Sequence, residues 1–119
     1  MARRLERIDR LWTAIAPASQ SDRVGFCLDT CHAHAGGEEL VGLVDKVLAI
    51  TGRIDLVHAN DSRDAFDSGA DRHANFGSGQ CDPEGVIEVL RKADAPVVVE
   101  TPGGEQGQTQ DLIWLADRL

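Results

Sequence analysis

Three short apolar runs, each ending in a polar side chain, constrain the fold of this chain more than any other feature. They occupy residues 24–29, 54–61 and 96–100, and β-branched residues are frequent in them. Segments with helical periodicity precede, separate and follow these runs. Strands that alternate with helices pair in parallel through right-handed crossovers. The order α-β-α-β-α-β-α therefore predicts an α/β fold with about three parallel strands and flanking helices.

The helical segments have boundaries that the sequence marks. Gly52 stands where a C-terminal cap belongs, and Asp82-Pro83 is typical of a helix start, with the carboxylate as cap and proline at the first helical position. Helices are predicted at about residues 4–15, 38–50, 83–92 and 109–119. Residues 62–80 are polar and show no clear period, so we interpret them as a long loop, which in a compact domain is usually functional.

The length and the apolar pattern indicate one partial domain, residues 1–119, in the cytoplasm. The chain has 119 residues, which is too short for two ordinary domains. No apolar run reaches the roughly 18 to 20 residues that span a bilayer, and no continuous apolar stretch follows the basic start. Three cysteines with no second close pair predict reduced thiols rather than a cysteine zinc site.

Net charge gives evidence against nucleic-acid binding when it is taken alone. The formal charge is −8 and the isoelectric point is about 4.8, whereas contacts to phosphates usually need a basic surface. The objection weakens if several carboxylates hold metal cations, because bound ions invert the local charge.

The three strand-end residues Asp29, His58 and Glu100 predict a metal site. In α/β folds the chemistry lies at the carboxyl ends of parallel strands, which meet at one rim. Three further residues lie just beyond strand ends: His32, Asp71 and His73. Imidazole and carboxylate groups suit zinc or manganese. Taken singly, a buried histidine is more often hydrogen-bonded than metal-bound, and Asp29 could simply cap the turn after its strand.

Three longer segments resemble the C-terminal motifs of the endonuclease IV family, also called AP endonuclease family 2. They are DTCHAHAGG at 29–37, HANDSRDAFDSGADRHANFGSG at 58–79 and VVVETPG at 97–103. The resemblance covers nearly the whole chain from Val24 onward. It implies the C-terminal portion of a TIM (β/α)₈ barrel of the xylose isomerase-like superfamily, with zinc at its rim.

The resemblance also implies the site residues. The metal ligands of the family match Asp29, His32, His58, Asp71, His73 and Glu100. It implies one zinc on His32, Asp71 and His73, a second on Asp29, His58 and Glu100, and a catalytic role for Glu100 and Asp29. The residues that match a loop touching the DNA backbone are Arg72, Phe76, Gly77, Ser78 and Gly79. The implied activity is zinc-dependent cleavage 5′ to abasic sites in double-stranded DNA, as in base excision repair.

The sequence departs from the family in two ways. His34 stands where the family usually has an aromatic residue, so we expect a solvated or stacking histidine and not a ligand. The N-terminal half of the family, with five of the eight strands, two histidine ligands and a bridging glutamate, has no counterpart here. We therefore expect a truncated chain that supports at most about two of the three zinc ions, is marginally stable alone, and self-associates through exposed strand edges.

Two alternatives to a catalytic family member stay open at this point. One is a zinc-binding fragment without catalysis, which the missing bridging glutamate favours. The other is a metal-dependent sugar isomerase-like TIM barrel. The Asp71-Arg72-His73 triplet and the glycine-containing stretch after it favour the endonuclease over the isomerase.

Overall fold

A computed structural model describes residues 3–119 of the chain. Within this range the helices are α1 Leu5–Ile15, α2 Thr30–Ala35, α3 Leu43–Thr51, α4 Pro83–Ala93 and α5 Gly104–Ala116. The strands are β1 Cys27–Asp29, β2 Leu56–His58, β3 Asp61–Ser62, β4 His73–Ala74 and β5 Val97–Val98, and a 3₁₀ turn covers Ser21–Arg23. None of these helices combines the length and the apolar composition that crossing a bilayer requires.

The main sheet is parallel and has the strand order β1-β2-β5. Its register places Asp29 opposite His58, and His58 opposite Val98. The predicted α/β arrangement of three parallel strands with flanking helices is therefore confirmed. The ladders are shorter than the apolar runs, because β5 pairs with β2 only through Val97 and Val98.

The core lies between the sheet and helices α3 and α4. Leu28 and Val57 point to this side and are 4% and 0% exposed. They pack with Val47 of α3 and Val89 of α4, both fully buried, and burying an aliphatic side chain of this kind contributes about 1.5–3 kcal/mol. Because alternate residues of a strand face opposite ways, Asp29 and His58 lie on the other side of the sheet.

The side of the sheet that carries Asp29 and His58 is largely uncovered. Cys27 on this side is exposed, and Val98 keeps 40% of its surface exposed. The strand-end polar groups therefore sit at the margin of an open, partly apolar sheet face.

Two helix ends follow the sequence predictions. The carboxylate of Asp82 accepts a hydrogen bond from the backbone N–H of Glu84 at 3.2 Å, and Pro83 is the first residue of α4. Gly52 ends α3 in the left-handed conformation with φ +69°, and its N–H donates to the carbonyl of Leu48.

Four elements differ from the predictions. Helix α3 begins at Leu43 and not near residue 38, because Gly42 precedes it in the left-handed conformation with φ +77°. Helix α2 was not expected, because its six residues are small or polar and show no apolar stripe. The predicted loop 62–80 contains most of a short antiparallel hairpin, β3–β4, with two residue pairs, too few to produce a visible alternation. Helix α5 begins at Gly104 and not near residue 109. The sequence pattern did not reveal this start, because the first turns of α5 are rich in glycine and polar residues.

Candidate metal centre

Asp29 lies at the centre of the strand-end cluster and is 7% exposed. Its Oδ1 accepts a hydrogen bond from the backbone N–H of His32 at 3.1 Å, which caps α2. Three imidazole nitrogens surround its Oδ2: His32 Nδ1 at 3.8 Å, His58 Nδ1 at 3.7 Å and His73 Nε2 at 4.0 Å. The cap therefore fixes the carboxylate with one oxygen facing three potential ligands.

Asp71 lies between two of these imidazoles. Its Oδ1 is 2.9 Å from His32 Nε2 and 3.5 Å from His73 Nε2. The rings of His32 and His73 are tilted by 45° with their centroids 6.0 Å apart. Arg3 approaches the other Asp71 oxygen at 3.4 Å. The loop between β3 and β4 thus places the Asp71 carboxylate next to the histidines beyond the end of β1.

Glu100 completes the opposite side of the cluster. Its Oε2 lies 3.1 Å from His58 Nδ1, and its side chain is 49% exposed. Glu100 follows β5 by two residues, so its side chain continues the sheet face on which Val98 lies. The exposed carboxylate faces both the histidine and the solvent.

The hydrogen bond of His73 leaves one ring nitrogen free for a ligand role. Its Nδ1 lies 3.0 Å from the backbone carbonyl oxygen of Glu100. A carbonyl only accepts, so Nδ1 carries the proton, and in the neutral ring Nε2 is the unprotonated nitrogen that faces Asp29 and Asp71. Metal-binding histidines commonly donate their other N–H in this way.

The donor set fits a borderline metal ion such as zinc. Three groups of residues offer one ligand atom each with all atoms within 4.8 Å of one another: Asp29–His32–His73, Asp29–His58–Glu100 and Cys31–Asp71–His73. Nitrogen and carboxylate ligands at zinc lie about 2.0–2.2 Å from the ion, which separates two tetrahedral ligands by roughly 3.5 Å. Separations of 2.9–4.0 Å between these histidines and carboxylates are close to that value.

The thiol in the third group is a poor ligand. Cys31 is fully buried, and burial raises its pKa to about 11. A thiol binds metal as the thiolate, which this environment disfavours. Of these three groups, the two that contain Asp29 are therefore the chemically suitable ones. The predicted set His32, Asp71 and His73 is not one of the compact groups, although Asp71 Oδ1 lies 2.9 Å and 3.5 Å from the two imidazoles.

The sequence-predicted DNA contact Arg72 is exposed but already paired. Its guanidinium binds Asp64 through two hydrogen bonds, of which Nε to Oδ2 measures 3.0 Å. The pairing lowers the pKa of Asp64 below its ordinary value. Arg72 therefore stands at the surface of the β3–β4 hairpin in a fixed orientation, one residue from His73.

The other predicted DNA contacts form a turn that contacts the protein interior through Phe76 and Gly79. Phe76 is buried and stacks on Trp114, with ring centroids 4.9 Å apart and planes 12° from parallel. Gly77 is exposed with φ +86°, and Ser78 is also exposed. Gly79 donates its N–H to Asp61 Oδ2 at 3.1 Å. The backbone of residues 77–79 is thus the accessible part of this segment, while the phenyl ring faces the core.

His34 lies apart from the cluster. It is 5% exposed, its Nε2–H donates to the carbonyl of Asp64 at 2.9 Å, and its ring packs edge-on against Phe66. The expectation of a solvated ring is wrong, because α2 turns this ring under the loop 63–72, and its aromatic contact is edge-on and not stacked.

Two buried polar residues were missed by the sequence interpretation. Asn60 is fully buried and bonds Asp29 and Glu100, and Asp61 is 3% exposed and accepts backbone N–H groups of the turn at Gly79 and Cys81. A signal existed, because Asn60 and Asp61 are polar residues at the end of an apolar run.

Comparisons with known proteins agree with the observed fold. A family model described as xylose isomerase-like TIM barrel matches residues 2–118. The chain is 54% identical to the probable endonuclease 4 of Mycobacterium ulcerans, with 100% of this chain and 45% of that protein covered. It is 52% identical to the probable endonuclease 4 of Mycobacterium tuberculosis, with 99% and 44% covered. The crystal structure of endonuclease IV from Thermus thermophilus superposes with a TM-score of 0.78 and 29% identity, covering 92% of this chain and 42% of that one. The chain thus spans less than half the length of these relatives.

Proposed function

Because the chain belongs to the xylose isomerase-like TIM barrel family, we propose that it carries the zinc-binding part of a DNA-repair endonuclease. The confirmed fold and the relatives named probable endonuclease 4 support the nuclease class. The proposed reaction is hydrolysis of the phosphodiester bond 5′ to an abasic site in double-stranded DNA. The observation that carries the proposal is the cluster in which Asp29, His58 and Glu100 meet at the ends of three parallel strands.

Two sets of residues are proposed to hold zinc. Asp29, His58 and Glu100 form the first set, which is supported by their ligand atoms lying within 4.8 Å of one another. The second set is His32, Asp71 and His73, supported by the position of Asp71 Oδ1 at 2.9 and 3.5 Å from the two imidazoles. When bound, zinc supplies Lewis-acid stabilisation of the negative charge that develops on phosphodiester oxygens.

Asp29 and Glu100 are the residues that we propose as catalytic. Asp29 is buried and capped, so its carboxylate keeps a single orientation towards the histidines. Glu100 is about half exposed and can face a substrate as well as His58. A held carboxylate beside an accessible one is an arrangement in which the first organises the site and the second takes part in proton transfer.

Arg72 and the turn at residues 77–79 are proposed to contact the DNA backbone. The Arg72 side chain is 64% exposed, and a guanidinium can exchange a carboxylate such as that of the half-buried Asp64 for a phosphate. Gly77 and Gly79 have no side chain, so a phosphate can approach the backbone of this turn closely. The N–H groups of Ser78 and Gly79 already donate within the protein, to the carbonyl of Asn75 and to Asp61 Oδ2. The overall charge of −8 opposes binding, and cations bound to the clustered carboxylates would reverse that charge locally.

The open sheet face supports the proposal that this chain is an incomplete barrel and associates with a second copy. Strands β1 and β5 are the outer strands of the described sheet, and Val98 beside β2 is 40% exposed. Unpaired parallel edges favour association. A monomeric protein that melts cooperatively at micromolar concentration would contradict this.

The three free cysteines are consistent with a reducing compartment, for which we propose the cytoplasm.

The test measures zinc content and DNA cleavage on the same preparation. Zinc per chain is determined by elemental analysis, and cleavage is followed on a labelled duplex with one abasic site and on the undamaged duplex. His58→Ala is expected to lower the zinc content by about one ion per chain, because it removes a ligand of the first set. The matched control is His34→Gln, which changes a histidine outside the cluster and keeps a donor for Asp64.

The outcomes separate the parts of the proposal. About two zinc ions per chain without cleavage would support the zinc sites and assign the activity to a longer form. About three with cleavage would contradict the limit of about two zinc ions per chain and support a site rebuilt by association. Cleavage that survives complete removal of zinc by a chelator would contradict zinc dependence. Equal cleavage of both duplexes would contradict specificity for abasic sites.

A further inference from the structure

Asn60 joins the three strand ends that carry the proposed zinc ligands. Its side chain is fully buried. Its Nδ2 donates to Asp29 Oδ2 at 3.2 Å, and its Oδ1 accepts from the backbone N–H of Glu100 at 2.8 Å. Because the N–H of Glu100 can only donate, the carbonyl end of the amide must face Glu100 and the NH₂ end must face Asp29.

The contact with Glu100 replaces a missing part of the ladder between β2 and β5. Their pairing covers only Val57 with Val97 and His58 with Val98, followed by a hydrogen bond from the N–H of Ala59 to the carbonyl of Val98. Beyond that point the side chain of Asn60, and not the backbone of β2, binds the next N–H of the neighbouring segment. Glu100 thereby keeps its place although its strand has ended.

The contact with Asp29 orients a carboxylate that already has another partner. The backbone N–H of His32 occupies one site on Oδ1, and Asn60 occupies one site on Oδ2. An ionised carboxylate offers about four lone-pair sites, so each oxygen keeps one for a metal ion. With one hydrogen bond on each oxygen, rotation of the carboxylate about its last bond is restrained.

Asn60 is itself held in place by Thr30. The hydroxyl of Thr30 donates to the carbonyl of Asn60 at 2.6 Å and accepts from its N–H at 2.9 Å. Thr30 is fully buried and directly follows Asp29. Hydrogen bonds of Thr30 thus join the segments that follow β1 and β2. They hold the backbone of Asn60, whose side chain binds the N–H of Glu100.

We propose that Asn60 is a positioning residue of the metal centre, which orients Asp29 and Glu100 through the two ends of one amide. This rests on the proposed zinc site. Its effect is on the arrangement of the ligands, since the two ends of its amide are already bonded to Asp29 Oδ2 and to the backbone N–H of Glu100. Partners of this outer kind typically change metal affinity by about 10- to 100-fold.

The experiment compares Asn60→Leu with Asn75→Leu in the whole protein. Asn75 is the matched control, because its Nδ2 also donates to a carboxylate, Asp111 Oδ2 at 2.7 Å, and to the carbonyl of Pro102. Zinc affinity is measured by competition with a chromophoric chelator, and the visible absorption of bound cobalt reports the geometry of the ligands. The expected result is that Asn60→Leu lowers zinc affinity at least about tenfold and changes the cobalt spectrum, while Asn75→Leu alters only the stability.

Asn60→Asp is the second variant if Asn60→Leu fails to fold. It keeps an acceptor for the N–H of Glu100 and removes the donor to Asp29. We expect weaker zinc binding here as well, although the added negative charge alone would strengthen it. Unchanged affinity in Asn60→Leu, or tighter binding in Asn60→Asp, would overturn the inference. Absence of zinc binding in the unaltered protein would instead overturn the proposed function.

Discussion

The carboxylate of Asp61 occupies the space that a side chain at Gly79 would need. The N–H of Gly79 donates to Asp61 Oδ2 at 3.1 Å, and a Cβ on Gly79 would clash with Asp61 Oδ1. The same Oδ1 accepts the N–H of Cys81 at 2.9 Å. A carboxylate at the start of β3 therefore shapes the turn that we propose to face DNA.

Gly79→Ala is expected to destabilise the protein by about 1–3 kcal/mol, because the added methyl group displaces the buried Asp61 carboxylate or the turn. Urea unfolding measures this difference. Ser78→Ala is the neighbouring control and should change the free energy of unfolding far less, since Ser78 is exposed and loses one hydrogen bond to the carbonyl of Asn75. Equal stability of Gly79→Ala and the unaltered protein would contradict the close contact of this position with Asp61 Oδ1 and the backbone oxygen of Ser62.

Phe76→Ala is expected to cost about 3 kcal/mol, since the phenyl ring is buried and stacks on Trp114. Phe76→Leu should keep most of the stability. It should also keep the DNA affinity if Phe76 acts on DNA only through the shape of its turn. Phe66→Ala provides the control, because Phe66 is 46% exposed and should cost less. A loss of DNA affinity in a fully stable Phe76→Leu protein would indicate a direct contact of the ring.

The three cysteines are expected to differ in reactivity. Iodoacetamide at pH 8 should modify Cys27, which is exposed, and leave Cys31 and Cys81 unmodified. Burial raises the pKa of Cys31 to about 11 and raises the pKa of Cys81 further, so both stay as buried thiols. Peptide mapping by mass spectrometry identifies the modified residue.

Cys27 also has a raised pKa, through burial of part of the thiol and the nearby charge of Asp29. Its rate of modification should therefore still increase above pH 9. Cys27→Ser serves as the control and should abolish labelling of the native protein. Rapid labelling of Cys81 under native conditions would contradict the buried position assigned to it.

Asp55 gives a stability contribution with a defined pH dependence. The hydrogen bonds from the Arg53 guanidinium, and then from the backbone N–H of Phe26, lower the pKa of Asp55 to about 2. An unfolded aspartate has a pKa of about 3.9. The depressed value means that the stabilisation is present above about pH 4 and disappears as the pH falls towards 2.

The difference in free energy of unfolding between the unaltered protein and Asp55→Asn should accordingly shrink from pH 7 to pH 3. Urea unfolding at several pH values measures it, and Asp22→Asn, a change at another exposed aspartate, is the control. A difference that stays constant across this range would mean that the ionised form of Asp55 is not the stabilising one.

The local sequence predicted most of the helix and strand positions. The apolar runs and the signals at Gly52 and Asp82 depend on residues within a few positions of one another, so they are readable without the fold. Helix α2 and the start of α5 were not predictable in this way. Their residues lack an apolar stripe, and α2 is begun by a cap from Asp29 that only the end of β1 places correctly.

The sequence by itself determined that strands and helices alternate and that Asp29, His58 and Glu100 follow the apolar part of the three strands. Only the tertiary structure decided how these ends are joined, because the joining contacts connect residues far apart in the chain. Asn60 is 40 residues from Glu100, and Asp61 is 18 residues from Gly79. Hydrogen bonds over such separations depend on the register of neighbouring strands and on burial, and neither leaves a periodic trace in the sequence.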